Sequence, residues 1–287
     1  MSKRIEFTEE QIKFIIEQKK YISSDKIGEL FGISRTAIER ILKENNIHYP
    51  QISNRKHNLN ENFFEKIDSE HKAYWLGFIY ADGCVFKKRR TLTIRLKKDA
   101  DNIQLLEQLK KDLECDYEIK YGKQNSWGTI TQYCVLSIFS KKIIDDLIKL
   151  GCYNKKSLIL IFPSEEIVPL EFQKDFIRGY FDGDGAISYT TKTCHITFCG
   201  TYEFLLGVKE FFNLTHFPLH DSRKDNNKNI YYLGFGGNLQ VLDKMSKIYK
   251  NATIYLPRKY KIFQKLQNNY SKEKIEEHKK YSSLVYQ

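Results

Sequence analysis

Two nonapeptides decide how this chain is read: Trp75-Leu76-Gly77-Phe78-Ile79-Tyr80-Ala81-Asp82-Gly83 and Ile177-Arg178-Gly179-Tyr180-Phe181-Asp182-Gly183-Asp184-Gly185. Each is a largely apolar helical stretch with a small residue at its third and seventh positions. Gly77 and Ala81, like Gly179 and Gly183, stand four apart and therefore share one helical face. A face without bulk lets two backbones approach closely. Each stretch ends in Asp-Gly, and its aspartates, Asp82 and Asp184, are 102 residues apart. Gly83 and Gly185 read as helix stops where the chain takes positive φ. Packed side by side and parallel, the two helices deliver both aspartates to one edge.

A carboxylate at a helix C-terminus sits at the unfavourable end of the dipole, at a cost of about 0.3–1 kcal/mol. Two converging carboxylates also repel one another. A divalent cation relieves both, and hard oxygen ligands with open positions suit Mg²⁺ bound to phosphate. Paired carboxylates and metal beside a phosphodiester describe an in-line nuclease site.

Both stretches resemble the LAGLIDADG motif of homing endonucleases, in the single-chain form that carries two copies. The paired context is what makes the match specific. Trp75 and Ile177 depart from the family's opening leucine by an apolar exchange. The resemblance implies an α+β, pseudo-two-fold fold of two αββαββα repeats whose saddle-shaped sheets straddle a duplex. It implies that Asp82 and Asp184 are the metal-binding acids, assisted by backbone oxygens at Gly83 and Gly185, with Mg²⁺ as cofactor. Lys156 and Lys259, 103 residues apart, resemble the family's catalytic basic residues, with Lys155 and Arg258 as neighbours able to fill that role. Asp182 has no acidic counterpart in the first copy, where Tyr80 stands, and reads as a helix-surface or interface group. The implied activity is site-specific hydrolysis of double-stranded DNA at a long asymmetric target by a monomer. Two alternatives share the fold: a regulator that binds DNA without cutting it, and a splicing maturase whose partner is intron RNA. No Cys or Ser begins the chain and no His-Asn ends it, which disfavours an intein.

The bulk numbers agree with a polyanionic partner. Among 287 residues, 47 are basic and 36 acidic, for a net charge of +11,. No apolar run approaches the ~20 residues of a membrane span. Met1-Ser2-Lys3-Arg4 leads into acidic helix rather than an apolar signal region. The six cysteines form no C-x₂-C pair, so a zinc ribbon is not expected, and His216 and His220 read as loop histidines,. A reducing, cytoplasmic setting follows, in a free-standing intron-, phage- or organelle-encoded enzyme.

Residues 1–47 read as three short helices. Thr8 and Gln11 fit a capping box, with Ile12, Ile15 and Ile16 inward. Ser23 or Ser24 caps a second helix carrying Ile27, Leu30 and Phe31. Gly32 turns the chain, and Ser34 caps a third with Ile38, Ile41 and Leu42 inward. This is a helix-turn-helix layout whose last helix presents Arg35, Thr36, Glu39, Arg40 and Lys43 to a major groove. Residues 48–68 have the composition of a linker.

Two repeats follow, 69–165 and 166–270, and then a basic tail, 271–287. In the first, Cys84–Arg95 reads as a hairpin, Asp101–Leu113 as a helix, Tyr117–Tyr121 and Gln132–Phe139 as strands, and Lys141–Leu150 as a helix. In the second, Ala186–Cys199 reads as strands, Tyr202–Phe212 as a helix, Leu219–Asp221 and Tyr231–Phe235 as strands, and Leu239–Tyr249 as the closing helix. The doubled order implies internal symmetry. Lys87, Lys88, Arg89, Arg90, Arg95, Lys97 and Lys98 form an acid-free basic run. Such strands track phosphates while alternate side chains reach base edges. Arg258 lies in a second basic region, and Arg223 and Lys224 fall in a loop with Asn226 and Asn227. Gln124, Asn125, Thr129 and Thr131 occupy the corresponding loop of the first repeat. These residues are the candidates for duplex contact.

Overall fold

The computed structural model describes residues 7–19, 22–45, 47, 57–126, 128–154, 156–190, 193–221 and 229–270. Trp127, Lys155, Arg223, Lys224, Asn226, Asn227 and the tail 271–287 lie outside these residues. The chain divides into two compact units, Met1–His57 and Asn58–Gln287.

In the first unit, helices α1 (Glu9–Gln18), α2 (Ser24–Phe31) and α3 (Arg35–Glu44) enclose Ile15, Ile27, Ile38, Ile41 and Leu42. Local chemistry sets every start. Thr8 and Gln11 close a reciprocal capping box, and Ser23 and Ser34 each accept a backbone N–H of the first turn,. Gly32 ends α2 at φ 64°, a left-handed cap that a side chain would strain. Leu30, expected inward, is instead 66 % exposed. Ser24, Ile27 and Gly28 define the buried face of α2, and Leu30 projects about 60° beyond it.

The second unit contains two αββαββα repeats. The first runs α4 (Glu70–Asp82), β1 (Gly83–Phe86), β2 (Thr91–Lys97), α5 (Ala100–Asp112), β3 (Lys120–Ser126), β4 (Thr129–Phe139) and α6 (Lys141–Lys149). The second runs α7 (Leu170–Asp184), β5 (Ala186–Tyr189), β6 (Cys194–Gly200), α8 (Tyr202–Phe212), β7 (His220–Asp221), β8 (Tyr231–Gly236) and α9 (Asn238–Tyr249). A 3₁₀ turn, Lys156–Leu158, lies between the repeats, and α10 (Pro257–Asn269) follows them. The two antiparallel sheets have the same order, β1-β2-β4-β3 and β5-β6-β8-β7. One face of each is apolar: Leu92, Ile94 and Leu96 on β2, and Cys194, Ile196 and Phe198 on β6, are buried against helices. The strand period of two leaves the alternate side chains on the opposite face.

Three sequence readings change. Residues 58–68 are part of the second unit rather than linker: Phe63, Phe64 and Ile67 are buried in its core, and Asn60 N–H donates to Leu113 O at 2.8 Å. Their scattered apolar residues resemble linker composition, but three of them reach the core. Strand β3 begins at Lys120, not Tyr117, because its register is set by pairing with β4 from Lys120↔Val135 to Ser126↔Thr129. Tyr117 is buried and donates its hydroxyl to Phe139 O at 3.2 Å. Residues 250–270, given no element by the sequence reading, also contain a helix: α10 starts with Pro257 at its first turn and buries Lys259, Phe263 and Leu266.

Candidate active site

Helices α4 and α7 pack as a pair at the centre of the second unit. A Cβ built on Gly77 would stand 1.9 Å from Phe176 O, and one on Gly179 1.9 Å from Tyr74 O. A Cβ on Gly183 would meet the Cβ of Ala81 at 2.3 Å. Backbone therefore rests on backbone at Gly77 and Gly179, while Gly183 makes room for the Ala81 methyl. Tyr74, Trp75, Phe78, Phe176, Tyr180 and Phe181 fill the flanks and are all buried.

The pair delivers both helix ends to one place. Asp82 is the last residue of α4 and Asp184 the last of α7. A Cβ on Gly183 would lie 3.5 Å from Asp82 Oδ2, so the first carboxylate borders the second motif. Burial, reinforced by the Asp184 carboxylate, pushes Asp82 up to about 6, while Lys259 and Lys156 oppose the shift. Asp184 is also raised by surrounding protein atoms, against Lys156 and Lys259. The two acids thus share one electrostatic site.

Gly83 and Gly185 do not adopt the positive φ expected of them; their values are −78° and −76°. They are needed for closeness instead. A Cβ on Gly83 would lie 2.8 Å from Ile79 O, and one on Gly185 2.5 Å from Phe181 O. The chain leaves each helix directly into a strand folded tightly over the last turn.

Lys156 and Lys259 are buried, and both ammoniums cap these helix ends. Lys156 Nζ donates to Gly83 O at 2.5 Å and Ala81 O at 3.4 Å. Lys259 Nζ donates to Gly185 O at 2.5 Å, Asp182 O at 3.1 Å and Phe181 O. A cation at a helix C-terminus meets the negative end of the dipole. Burial lowers Lys259 to about 8, with Asp182 pulling the other way. The glycine carbonyls expected to help hold metal are therefore lysine acceptors.

The donor chemistry fits a hard divalent cation at the two aspartates, whose proton affinity is raised chiefly by burial. Among the described residues, no three His, Cys, Asp or Glu side chains converge as a metal cage. Two carboxylates leave most of a six-oxygen shell to water and phosphate oxygens, the usual habit of Mg²⁺.

Asp182 is not on the helix surface. Only 1 % exposed, it accepts from Tyr74 Oη at 2.9 Å, Tyr249 Oη at 2.5 Å and Leu256 N at 2.7 Å. It joins α7 to α4 and to the segment before α10.

A second polar network at the far end of the pair has no reading in the sequence. Arg178, also 1 % exposed, donates to Glu70 (2.7 Å), Asp175 (2.7 Å), Ile248 O (2.6 Å) and Ile254 O (2.9 Å). Beside it His71 pairs with Asp112 at 2.8 Å and Thr253 Oγ1 at 3.1 Å, while Trp75 Nε1 donates to Asp112 at 2.6 Å. An arginine inside an apolar helical stretch is the one signal that pointed here.

The candidate contact residues are scattered. Lys87, Lys88, Arg89 and Arg90 form the exposed turn between β1 and β2, with Arg90 at φ 52°. Arg95 and Lys97 lie exposed on β2, and the Arg95 guanidinium lies over the Tyr133 ring at 4.5 Å. Arg258 Nη1 donates to Asn102 Oδ1 at 2.9 Å, tying α10 to α5. In the first unit, Thr36 and Lys43 are exposed on α3, Arg35 pairs with Glu39 (2.6 Å) and Asp25 (3.4 Å), and Arg40 pairs with Glu44 at 3.9 Å.

Doubled αββαββα repeats, joined through helices that end side by side in Asp-Gly, define the class as a two-repeat LAGLIDADG-type fold. The chain resembles LAGLIDADG homing endonucleases of known structure. No protein-family model and no curated protein matches it. Among solved structures it is similar to the meganuclease I-SmaMI bound to uncleavable DNA, with 14 % identity, a TM-score of 0.44, and coverage of 69 % of this chain and 90 % of that one. The LAGLIDADG meganuclease I-AabMI bound to uncleaved DNA shows 15 % identity, a TM-score of 0.39, and coverage of 68 % and 87 %. Full-length DUF199/WhiA from Thermatoga maritima shows 16 % identity, a TM-score of 0.41, and coverage of 79 % and 73 %.

Proposed function

We propose that this chain is a Mg²⁺-dependent endonuclease that cuts both strands of a DNA duplex at a long, asymmetric site. The observation that carries the reading is the shared site itself: Asp82 and Asp184 at adjoining helix ends, their charge unrelieved by each other, each end capped by a buried lysine. A purely structural helix pair gains nothing from converging carboxylates.

Asp82 and Asp184 would hold the magnesium, which supplies polarisation of the phosphate and charge relief at the leaving oxygen. Lys156 and Lys259 fix the carbonyl ends of the helices, so each aspartate leaves a rigid base. Their ammoniums also place positive charge beside the centre, where the transition-state phosphate gathers negative charge. Each repeat serves one strand. The exposed cations of β2 and the β1–β2 turn engage the phosphates. The first unit extends the footprint through α3 as a helix-turn-helix, and a monomer suffices because one chain supplies both halves. Among the described residues no helix is long and apolar enough to cross a membrane.

The test is cleavage of a randomised duplex library, enriched in DNA flanking the native gene, with Mg²⁺, with Ca²⁺, and with Asp82→Asn or Asp184→Asn. One long site, cut only with Mg²⁺ and lost in both variants, supports the reading. Tight binding without cutting refutes the enzyme and leaves a regulator. Binding confined to folded intron RNA points to a maturase.

A further inference from the structure

The two sheets occupy corresponding places in the repeats, yet their solvent faces differ in chemistry. The β-ladders give the correspondence. Cys84 pairs with Thr93 in the first sheet and Ala186 with Thr197 in the second, each one residue beyond the glycine of its Asp-Gly. Thr93 thus corresponds to Thr197, and two residues on, Arg95 corresponds to Cys199. Across the strands Arg95 faces Val135, which faces Lys120, while Cys199 faces Tyr232, which faces His220. Two cationic positions on the first sheet are therefore a thiol and an imidazole on the second.

The same contrast extends through the turns. Residues 83–98 and 120–139 contain nine basic and no acidic residues, whereas residues 186–200 and 220–236 contain four basic and two acidic. An aromatic ring covers a glycine on each face. Tyr133 lies so close over Gly122 that a Cβ there would stand 2.4 Å from its ring, and Arg95 lies over the same ring. On the second face His195 covers Gly236, where a Cβ would stand 2.1 Å from its ring.

We infer that the two sheets divide the duplex between them. The first grips its half-site through phosphates and retains it after cleavage. The second, with fewer cations, engages fewer phosphates and releases its half-site first. This inference rests on the proposed endonuclease function. Each phosphate neutralised steepens the dependence of log affinity on log salt by about 0.9. Four more phosphate contacts under the first sheet would cost that half-site about a hundredfold more affinity between about 50 and about 200 mM salt.

The experiment takes the full chain in Ca²⁺ and measures its affinity for each half of the selected target, as separate duplexes, across that salt range. One half-site is expected to have the steeper slope. Arg95→Ala with Lys97→Ala should flatten that slope by about 2 and leave the other unchanged, while His195→Ala changes neither slope. Gel retention after complete cleavage in Mg²⁺ should recover the steep half-site on the protein and the other free. Equal slopes, or a double variant that flattens both, would overturn the inference while leaving the endonuclease intact. Failure to bind any duplex would instead remove the function on which it rests.

Discussion

Replacing Gly77 by alanine tests whether backbone contact between α4 and α7 positions the two aspartates. The new Cβ would stand 1.9 Å from Phe176 O, 2.8 Å from Phe176 C and 2.9 Å from Tyr180 N. A carbon beside a carbonyl oxygen rests at about 3.3 Å or more, so the helices must part by roughly 1.4 Å. No side chain can swing away to absorb this, because every contact is backbone. Overpacking costs about 1–3 kcal/mol in ordinary cores, and parted helices lose dispersion across the buried aromatic flanks as well. Alanine's better helix propensity returns about 1 kcal/mol. A net loss of about 2 kcal/mol remains, which lowers the melting temperature of a unit this size by about 4–8 °C. The fluorescence of Trp75, buried in α4, reports unfolding of this unit. Gly234→Ala is the control, since a Cβ there meets Thr197 Oγ1 at an ordinary 3.5 Å. DNA cleavage should fall by about a hundredfold or more, as a displacement near 1 Å is enough to cost that much. If Gly77→Ala melts with Gly234→Ala and cuts normally, the close-packed pair is not what positions the aspartates.

Other consequences follow from the charges. Asp82 binds its proton more tightly folded, near 6, than unfolded, so wild-type stability falls as pH rises from about 4 to about 6 and stays reduced above,. Asp82→Asn should therefore raise the metal-free melting temperature at pH 7.5 and leave it unchanged near pH 3.5, and Mg²⁺ should stabilise wild type more than the variant. His71 is shifted the opposite way: the Asp112 hydrogen bond raises it, against burial. Its protonated pair contributes fully below about 6.5 and is lost as pH climbs through the folded value; His71→Gln should remove that part of the stability–pH curve, read by urea titration from pH 5.5 to 8.5. Asp182→Ala deprives two buried tyrosine hydroxyls and one backbone N–H of their acceptor and should cost about 3–5 kcal/mol in urea unfolding; a loss below 1 kcal/mol would contradict its role as interface hub.

What the sequence discloses is what depends on neighbours in the chain. The helix starts at Thr8, Ser23 and Ser34 follow from capping chemistry, and Tyr202–Phe212 matches α8 because its apolar spacing and the capping Thr201 agree. Strand β3 could not be read this way. Lys120-Tyr121-Gly122-Lys123-Gln124-Asn125-Ser126 has little β-branched content, and only its partner β4 makes it a strand. Helix α10 was hidden by its basic sequence, although Pro257 marked its start. At the site, the aspartates were legible from their doubled motif and the lysines from their matching period. What the lysines touch was not, because backbone carbonyls leave no mark in a sequence. The same holds for Gly83 and Gly185, required by proximity rather than by an unusual φ.

The differences between the motif copies carry as much information as their likeness. Arg178 and Asp182 occupy the positions held by Leu76 and Tyr80 in the first copy. Both reach the same segment: Arg178 bonds Ile248 O and Ile254 O, and Asp182 bonds Leu256 N. Both also bond to α4, through Glu70 and Tyr74. The first copy replaces them with Leu76, buried as an apolar group, and Tyr80, whose hydroxyl donates to Leu150 O at 2.6 Å within its own repeat. Two identical repeats would pair equally well with another chain's copy. A buried charge satisfied in only one arrangement penalises the others, since each misplaced partner leaves an uncompensated ion. The Arg178 and Asp182 networks therefore favour first repeat against second repeat within one chain, which is the arrangement the proposed asymmetric target needs. Arg178→Leu with Asp182→Tyr, restoring the first copy's residues, should lower stability and raise the fraction of chains that sediment as dimers; a stable, wholly monomeric double variant would refute this reading.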